Sequence, residues 1–167
     1  FIARYDANGE LGYFTPFGSV STDEAASIAP IPGGFVVLGT VTSTTDDPAI
    51  VQHGQDTWTA PSGQGGKDIL MLRISTAGKI LDGFSFGSSE DDSVGEVGVD
   101  ETGLIYTTGY VGSLIEDPKS NNSTLGVYDT RSAYLAKVNF SGGNQSEIVE
   151  LFVSTGSISS DARTNSI

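Results

Sequence analysis

Residues 68–110 read DILMLRISTAGKILDGFSFGSSEDDSVGEVGVDETGLIYTTGY. Ile69–Ile74 is apolar and β-rich, and Ser75-Thr76-Ala77-Gly78-Lys79 interrupts it, with Gly78 free to take a positive φ. Ile80–Phe86 follows, and period two puts Ile80, Phe84 and Phe86 on one face. Asp82 falls on that same face, so the alternation is imperfect. Val94, Val97 and Val99 mark a third run. Asp100-Glu101-Thr102-Gly103 is a hairpin turn, and Leu104–Tyr110 is a fourth run rich in β-branched and aromatic residues. Nothing in the stretch has a helical period. It predicts four strands joined by tight turns.

The rest of the chain repeats this stretch. Gly18, Gly87 and Gly156 recur at a constant offset of 69 (87 − 18 and 156 − 87), as do Ser19, Ser88 and Ser157, and Asp23, Asp92 and Asp161. FIARYDANGEL matches LMLRISTAGKI at the same offset, pairing Arg4 with Arg73 and Gly9 with Gly78. YLAKVNFSGG is a third copy, with Lys137 in place of Arg73 at offset 64, and extra residues in its following turn restore the phase. GGFVVLGTV matches TGLIYTTGYV, with Gly34 against Gly103; one residue then slips in and Gly39 faces Gly109 at offset 70. Three copies in phase indicate one supersecondary unit repeated.

These words resemble a bacterial and eukaryotic β-propeller repeat family, in which a strand like DAFVAKL leads to GG…D and then to GIAVD…GN.YVTG. The resemblance covers nearly the whole chain and carries no catalytic motif. It implies an all-β fold, a propeller fragment of four-stranded antiparallel blades with a repeat of about 69 residues. The blades then fall at residues 24–86 and 93–153, with a half blade at 1–17 and the start of another at 162–167, a single propeller segment of a longer chain. Ala25–Ala29 and Phe35–Val41 read as a strand pair over Pro32-Gly33-Gly34, and the sequence departs from the family's pattern where Pro30-Ile31-Pro32 replaces its usual turn entry.

Strand counting places chemistry on one face. In an antiparallel meander with strands A to D, the A–B and C–D turns share one end and the B–C and D–A connections share the other. B–C is the long connection each time, Thr42–Lys67 and Gly112–Ser132, and D–A is the Gly-Ser-x-x-x-Asp segment. The long loops and the repeated aspartates therefore lie at the same end. Asp23, Asp92 and Asp161, with Asp91, are candidate oxygen ligands for a hard cation such as Ca²⁺. The simpler reading is that each aspartate caps its own turn by accepting backbone N–H groups. No other cofactor is expected.

Thr42–Lys67 lacks periodicity and holds the chain's single His53 and Trp58. His53, near Asp46, Asp47 and Asp56, has no second His or Cys beside it and reads as a solvated loop residue. Trp58 reads as a loop anchor. Phe17, Phe84, Phe86, Tyr106 and Tyr110 read as core between blades. There is no Gly-x-Ser-x-Gly elbow, and Gly63–Gly66 lacks the context of a phosphate loop. Asn121, Asn122, Asn139 and Asn144 head N-x-S/T triplets and are glycosylation candidates, with Asn121 and Asn122 first.

The formal net charge is −13 with only 8 Lys+Arg, which argues against nucleic acid and anionic membrane partners. There is no cysteine, hence no disulfide or thiolate chemistry. No run is apolar for long enough to span a membrane as a helix. The acidic composition, rich in Gly, Ser and Thr, fits an extracellular or cell-surface protein. The function expected is a non-enzymatic structural or scaffold module, with a protein or glycan partner on the long-loop face and neighbouring blades of the same or another chain beside it. The alternative is a propeller enzyme acting on carbohydrate, of glycoside hydrolase or lyase type, with its active residues on other blades.

Overall fold

In the computed structural model, which describes residues 1–60, 65–113, 115–116, 124–126, 131–140 and 146–153, every regular element is a β-strand. In order they are β1 (Ile2–Tyr5), β2 (Leu11–Thr15), β3 (Phe17–Gly18), β4 (Glu24–Ile31), β5 (Gly34–Val41), β6 (Ile50–His53), β7 (Asp56–Thr59), β8 (Asp68–Ser75), β9 (Ile80–Phe86), β10 (Ser93–Val99), β11 (Ile105–Val111), β12 (Ile115–Glu116), β13 (Thr124–Gly126), β14 (Ser132–Phe140) and β15 (Ser146–Val153). Two four-stranded antiparallel meanders dominate: β4-β5-β8-β9 and β10-β11-β14-β15. β1 and β2 form a separate hairpin, β3-β6-β7 a three-stranded sheet, and β12-β13 a two-stranded one.

Local chemistry sets the phase. Asp6–Glu10, Ser75–Lys79 and Asp100–Leu104 close with the same two bonds: the first residue's N–H donates to the fifth carbonyl, and the fourth residue's N–H donates to the first carbonyl. The fourth residue is Gly9, Gly78 or Gly103, at φ +83°, +86° and +86°. Only glycine takes that conformation at no steric cost. The turn's first side chain accepts N–H groups from within the turn: Asp6 from Asn8 and Glu10, Ser75 from Lys79, Asp100 from Thr102 and Leu104. These bonds hold the Asp6 carboxyl below its ordinary pKa, the Glu10 N–H contributing most, and the Asp100 carboxyl likewise, led by the Thr102 hydroxyl.

The repeat persists in the register irregularities. The β1–β2, β8–β9 and β14–β15 pairs each shift just after the basic residue, at Arg4/Tyr5, Arg73/Ile74 and Lys137/Val138. β4–β5 shifts between Ala25 and Ser27, and β10–β11 between Val94 and Val97. The residue that slips in between copies lies in the turns: Ile31 pairs directly with Gly34, whereas Val99 pairs with Ile105. β15 stands at offset 68 from β9 (150 − 82), since Lys137 faces Glu150 where Arg73 faces Asp82.

The core has two compartments on opposite faces of the first meander. One joins Ala29, Val36, Leu38, Ile69, Met71, Phe84 and Phe86 to Ile105, Val111, Tyr134, Ala136 and Val138 of the second meander. The other joins Val37, Val41, Leu70, Leu72 and Ile74 to Ile2 and Tyr13 of the β1–β2 hairpin and to Ala49, Val51 and Ala60. Side chains alternate across a strand, so β8 is apolar at consecutive positions because both of its faces are covered. Each such side chain fully buried contributes about 1.5–3 kcal/mol of transfer free energy.

Three sequence expectations change here. Ile80 packs in the second compartment, opposite Phe84 and Phe86, because the bulge facing Arg73/Ile74 inserts a residue and reverses the alternation. β4 runs to Ile31 through Pro30. It is the edge strand of its meander, where an N–H-less residue loses no ladder bond on its open side. Tyr106 and Tyr110 are half-buried on the face of β11 opposite buried Ile105, Thr107 and Val111, with Arg131 4.1 Å over the Tyr110 ring, and Tyr134 lies in the first core compartment. Thr42–Lys67 contains the β6–β7 hairpin, reversed at Gly54 (φ +59°).

Candidate functional site

The D–A connections are built around a carboxylate. Asp23 accepts the Ser19 N–H at 2.7 Å and the Thr42 N–H at 3.1 Å, and the Ser19 hydroxyl lies 3.2 Å from it. Asp92 accepts the Ser88 N–H at 2.6 Å, the Ser88 hydroxyl at 2.7 Å and the Gly112 N–H at 2.9 Å. The donors in the two copies correspond: Ser19 with Ser88, and Thr42 with Gly112. Each aspartate thus ties the residue four places before it to the first residue after β5 or β11. The Asp92 N–H also donates to the Lys67 carbonyl. Asp23 and Asp92 thus each meet the first residue of a long connection, Thr42 and Gly112, at one end of their sheet.

The repeated glycine has a packing reason. A Cβ on Gly87 would collide with Asp68 Oδ1 and Asp92 Oδ2, and a Cβ on Gly18 (φ +138°) with Asp23 Oδ2. The carboxylate reaches its donors only because the chain beside it has no side chain. Asp92 and Asp68 are both 2% exposed. Burial raises the Asp92 carboxyl above its ordinary pKa, against the lowering effect of its bonds from Gly112 and Ser88, and the Asp91 charge raises it further.

Asp91 points elsewhere. It is exposed and accepts the Lys67 N–H at 3.0 Å. No group of three His, Cys, Asp or Glu able to hold a metal ion occurs among the described residues. Asp23 and Asp92 spend their oxygens on N–H and O–H donors, the chemistry of a loop clamp. Asp161 lies outside the described residues, as do Asn121, Asn122 and Asn144. Asn139 is in β14, paired with Glu147.

His53 is no solvated loop residue. It sits at the β6–β7 tip, its Nδ1 3.0 Å from the Thr15 hydroxyl and its ring edge-on to Tyr13 at 5.7 Å. Trp58 packs on β9: a Cβ on Gly83 would collide with the indole. A cleft of about 300 Å³ opens beside it, walled by Gln55, Asp56, Thr57, Lys79, Ile80, Leu81 and Asp82. Sequence reasoning missed Asp68, whose position at a strand start gave no sign of burial next to Asp92. It also missed the cleft, whose walls come from segments that are not neighbours in sequence. No described helix is long and apolar enough to cross a membrane. No family model matches the chain, and no curated protein matches it.

Proposed function

We propose that the chain is a segment of a β-propeller that works as a non-catalytic scaffold and interaction module of a large extracellular or cell-surface protein. One observation carries the reading: two four-stranded meanders, whose first strands begin at offset 69 (93 − 24), share bulge positions and a clamp aspartate, and pack with a common core. Units that repeat and bury a face against the next are what a propeller closes into a ring, typically of about four to eight blades. The clamps fasten the base of each long connection, so that end offers variable loops on a fixed frame, the usual arrangement for binding. A protein or glycan partner is assigned to that end, and the acidic surface argues against nucleic acid.

Electron microscopy of the protein in its full natural length tests the architecture: a ring of blades is expected, and an open stack or globule overturns it. The scaffold role is tested on the same material. Turnover of a defined glycan or peptide substrate, abolished by one point substitution that leaves the fold intact, would sink it.

A further inference from the structure

The repeat supplies an internal comparison. β10 stands one repeat beyond β4, so Val97 corresponds to Ile28. Val94, Val97 and Val99 pack on the cluster that contains Ala29, Val36 and Leu38, and the Val97 N–H donates to Ser27 Oγ at 3.3 Å. Ile28 has no such cover and is 55% exposed. Beside it runs a groove of about 260 Å³, lined by Phe1, Ile2 and Ala3 on one side and Ala25, Ala26 and Ile28 on the other.

The far wall of the groove differs in the same way from its counterpart. β8 has strands on both edges, β5 and β9. β1, its equivalent one repeat earlier, pairs only with β2, so among the described residues no strand lies along its other edge. A bare strand edge is a template for a further strand. An apolar β4 face and an open β1 edge thus border one groove, and a single ligand shape satisfies both.

We propose that this groove is the docking seat of a β-hairpin from another unit of the same repeat, with the chemistry of β4–β5. Its second strand extends the β1–β2 ladder as β5 extends β8. In that register the residues equivalent to Leu38 and Val36, which face Met71 and Arg73, come opposite Ile2 and Arg4. Its apolar side, equivalent to Ala29, Val36 and Leu38, closes over Ile28 as it closes over Val97 one unit later. Main-chain bonds supply affinity and the seated side chain supplies register. The inference rests on the unit-to-unit stacking in the proposed function, and neither ring closure nor the absence of catalysis enters it.

The probe is a synthetic peptide of residues 24–41, titrated into the ¹⁵N-labelled chain. Saturable shifts are expected at Ile2–Tyr5 and Ala25–Ile28, with amide exchange in β1 slowed about tenfold, as for one strand-edge bond protected by about 1.4 kcal/mol. Ile28→Asp is expected to abolish these effects with an unchanged circular dichroism spectrum, since Ile28 is an exposed side chain. A second form joins the peptide through a flexible linker ahead of Phe1, which brings it to about millimolar effective concentration. Unchanged β1 exchange in both forms overturns the proposal. So does binding that survives Ile28→Asp, or shifts confined to the β9 edge. Failure of the propeller reading would show instead in the images of full-length material.

Discussion

Replacing Asp92 by alanine removes the acceptor for the Ser88 N–H, the Ser88 hydroxyl and the Gly112 N–H at a position 2% exposed. The serine hydroxyl can turn, and it already bonds the Glu90 carbonyl at 3.3 Å. The two backbone donors have no such freedom. Each buried donor left unsatisfied costs about 1–3 kcal/mol, so Asp92→Ala is expected to lose about 2–6 kcal/mol. Relief of the buried charge offsets part of this, which favours the lower half of the range. With a urea m-value of about 2 kcal/mol per molar, a loss of about 3 kcal/mol moves the midpoint down by about 1.5 M. Asp92→Asn keeps one oxygen and should cost about 1–2 kcal/mol, since one N–H then meets an amide donor. Asp23→Ala should cost less than Asp92→Ala, because Asp23 is only half-buried. The assay is equilibrium unfolding in urea, followed by far-ultraviolet circular dichroism and by the single tryptophan. An Asp92→Ala midpoint within about 0.2 M of the parent (about 0.4 kcal/mol at that m-value) would refute the clamp as a structural device.

Three other outcomes are expected. The Asp92 carboxyl has a folded-state pKa above its unfolded value, so the stability it contributes is complete below about pH 3.8 and is lost as pH rises through the folded value; the parent's advantage over Asp92→Asn should therefore be larger at pH 3 than at pH 7, and an advantage that grows with pH would contradict it. Gly87→Ala, whose Cβ meets Asp68 and Asp92, should destabilise by several-fold more than Gly98→Ala, whose Cβ meets nothing within 4 Å, and equal midpoints in paired thermal melts would defeat the packing argument. Gly83→Ala should push Trp58 off β9 and shift its fluorescence to the red, whereas an unchanged emission maximum would mean the indole does not rest there.

Much of this protein is legible in its residues because the information is local and repeated. Gly9, Gly78 and Gly103 each end an identical turn, and a turn is specified by the few residues that make it. The repeat sets the Gly9 and Gly78 turns 69 residues apart (78 − 9), and the first strands of the two meanders begin at the same offset (93 − 24), whereas the end of β4 and the place of β15 depart from it. The capping role of Asp23 and Asp92 was legible too, since a carboxylate four residues after a Gly-Ser pair finds its first donors within its own segment. What tertiary structure alone decided depends on segments distant in the chain. A bulge reverses the alternation, so Ile80 and Phe84 part company although their spacing puts them on one face. Whether an apolar run is covered once or twice depends on what packs on each side, and that covered both faces of β8 and set Tyr134 edge-on to Phe86 in the core. The Gly112 and Thr42 donors, the burial of Asp68 beside Asp92 and the seat of Trp58 on Gly83 arise only when strands far apart in the chain are brought within a few ångströms. Composition and period record what each residue prefers; the neighbour it meets is set by the packing of sheets, whose free energy belongs to no single segment.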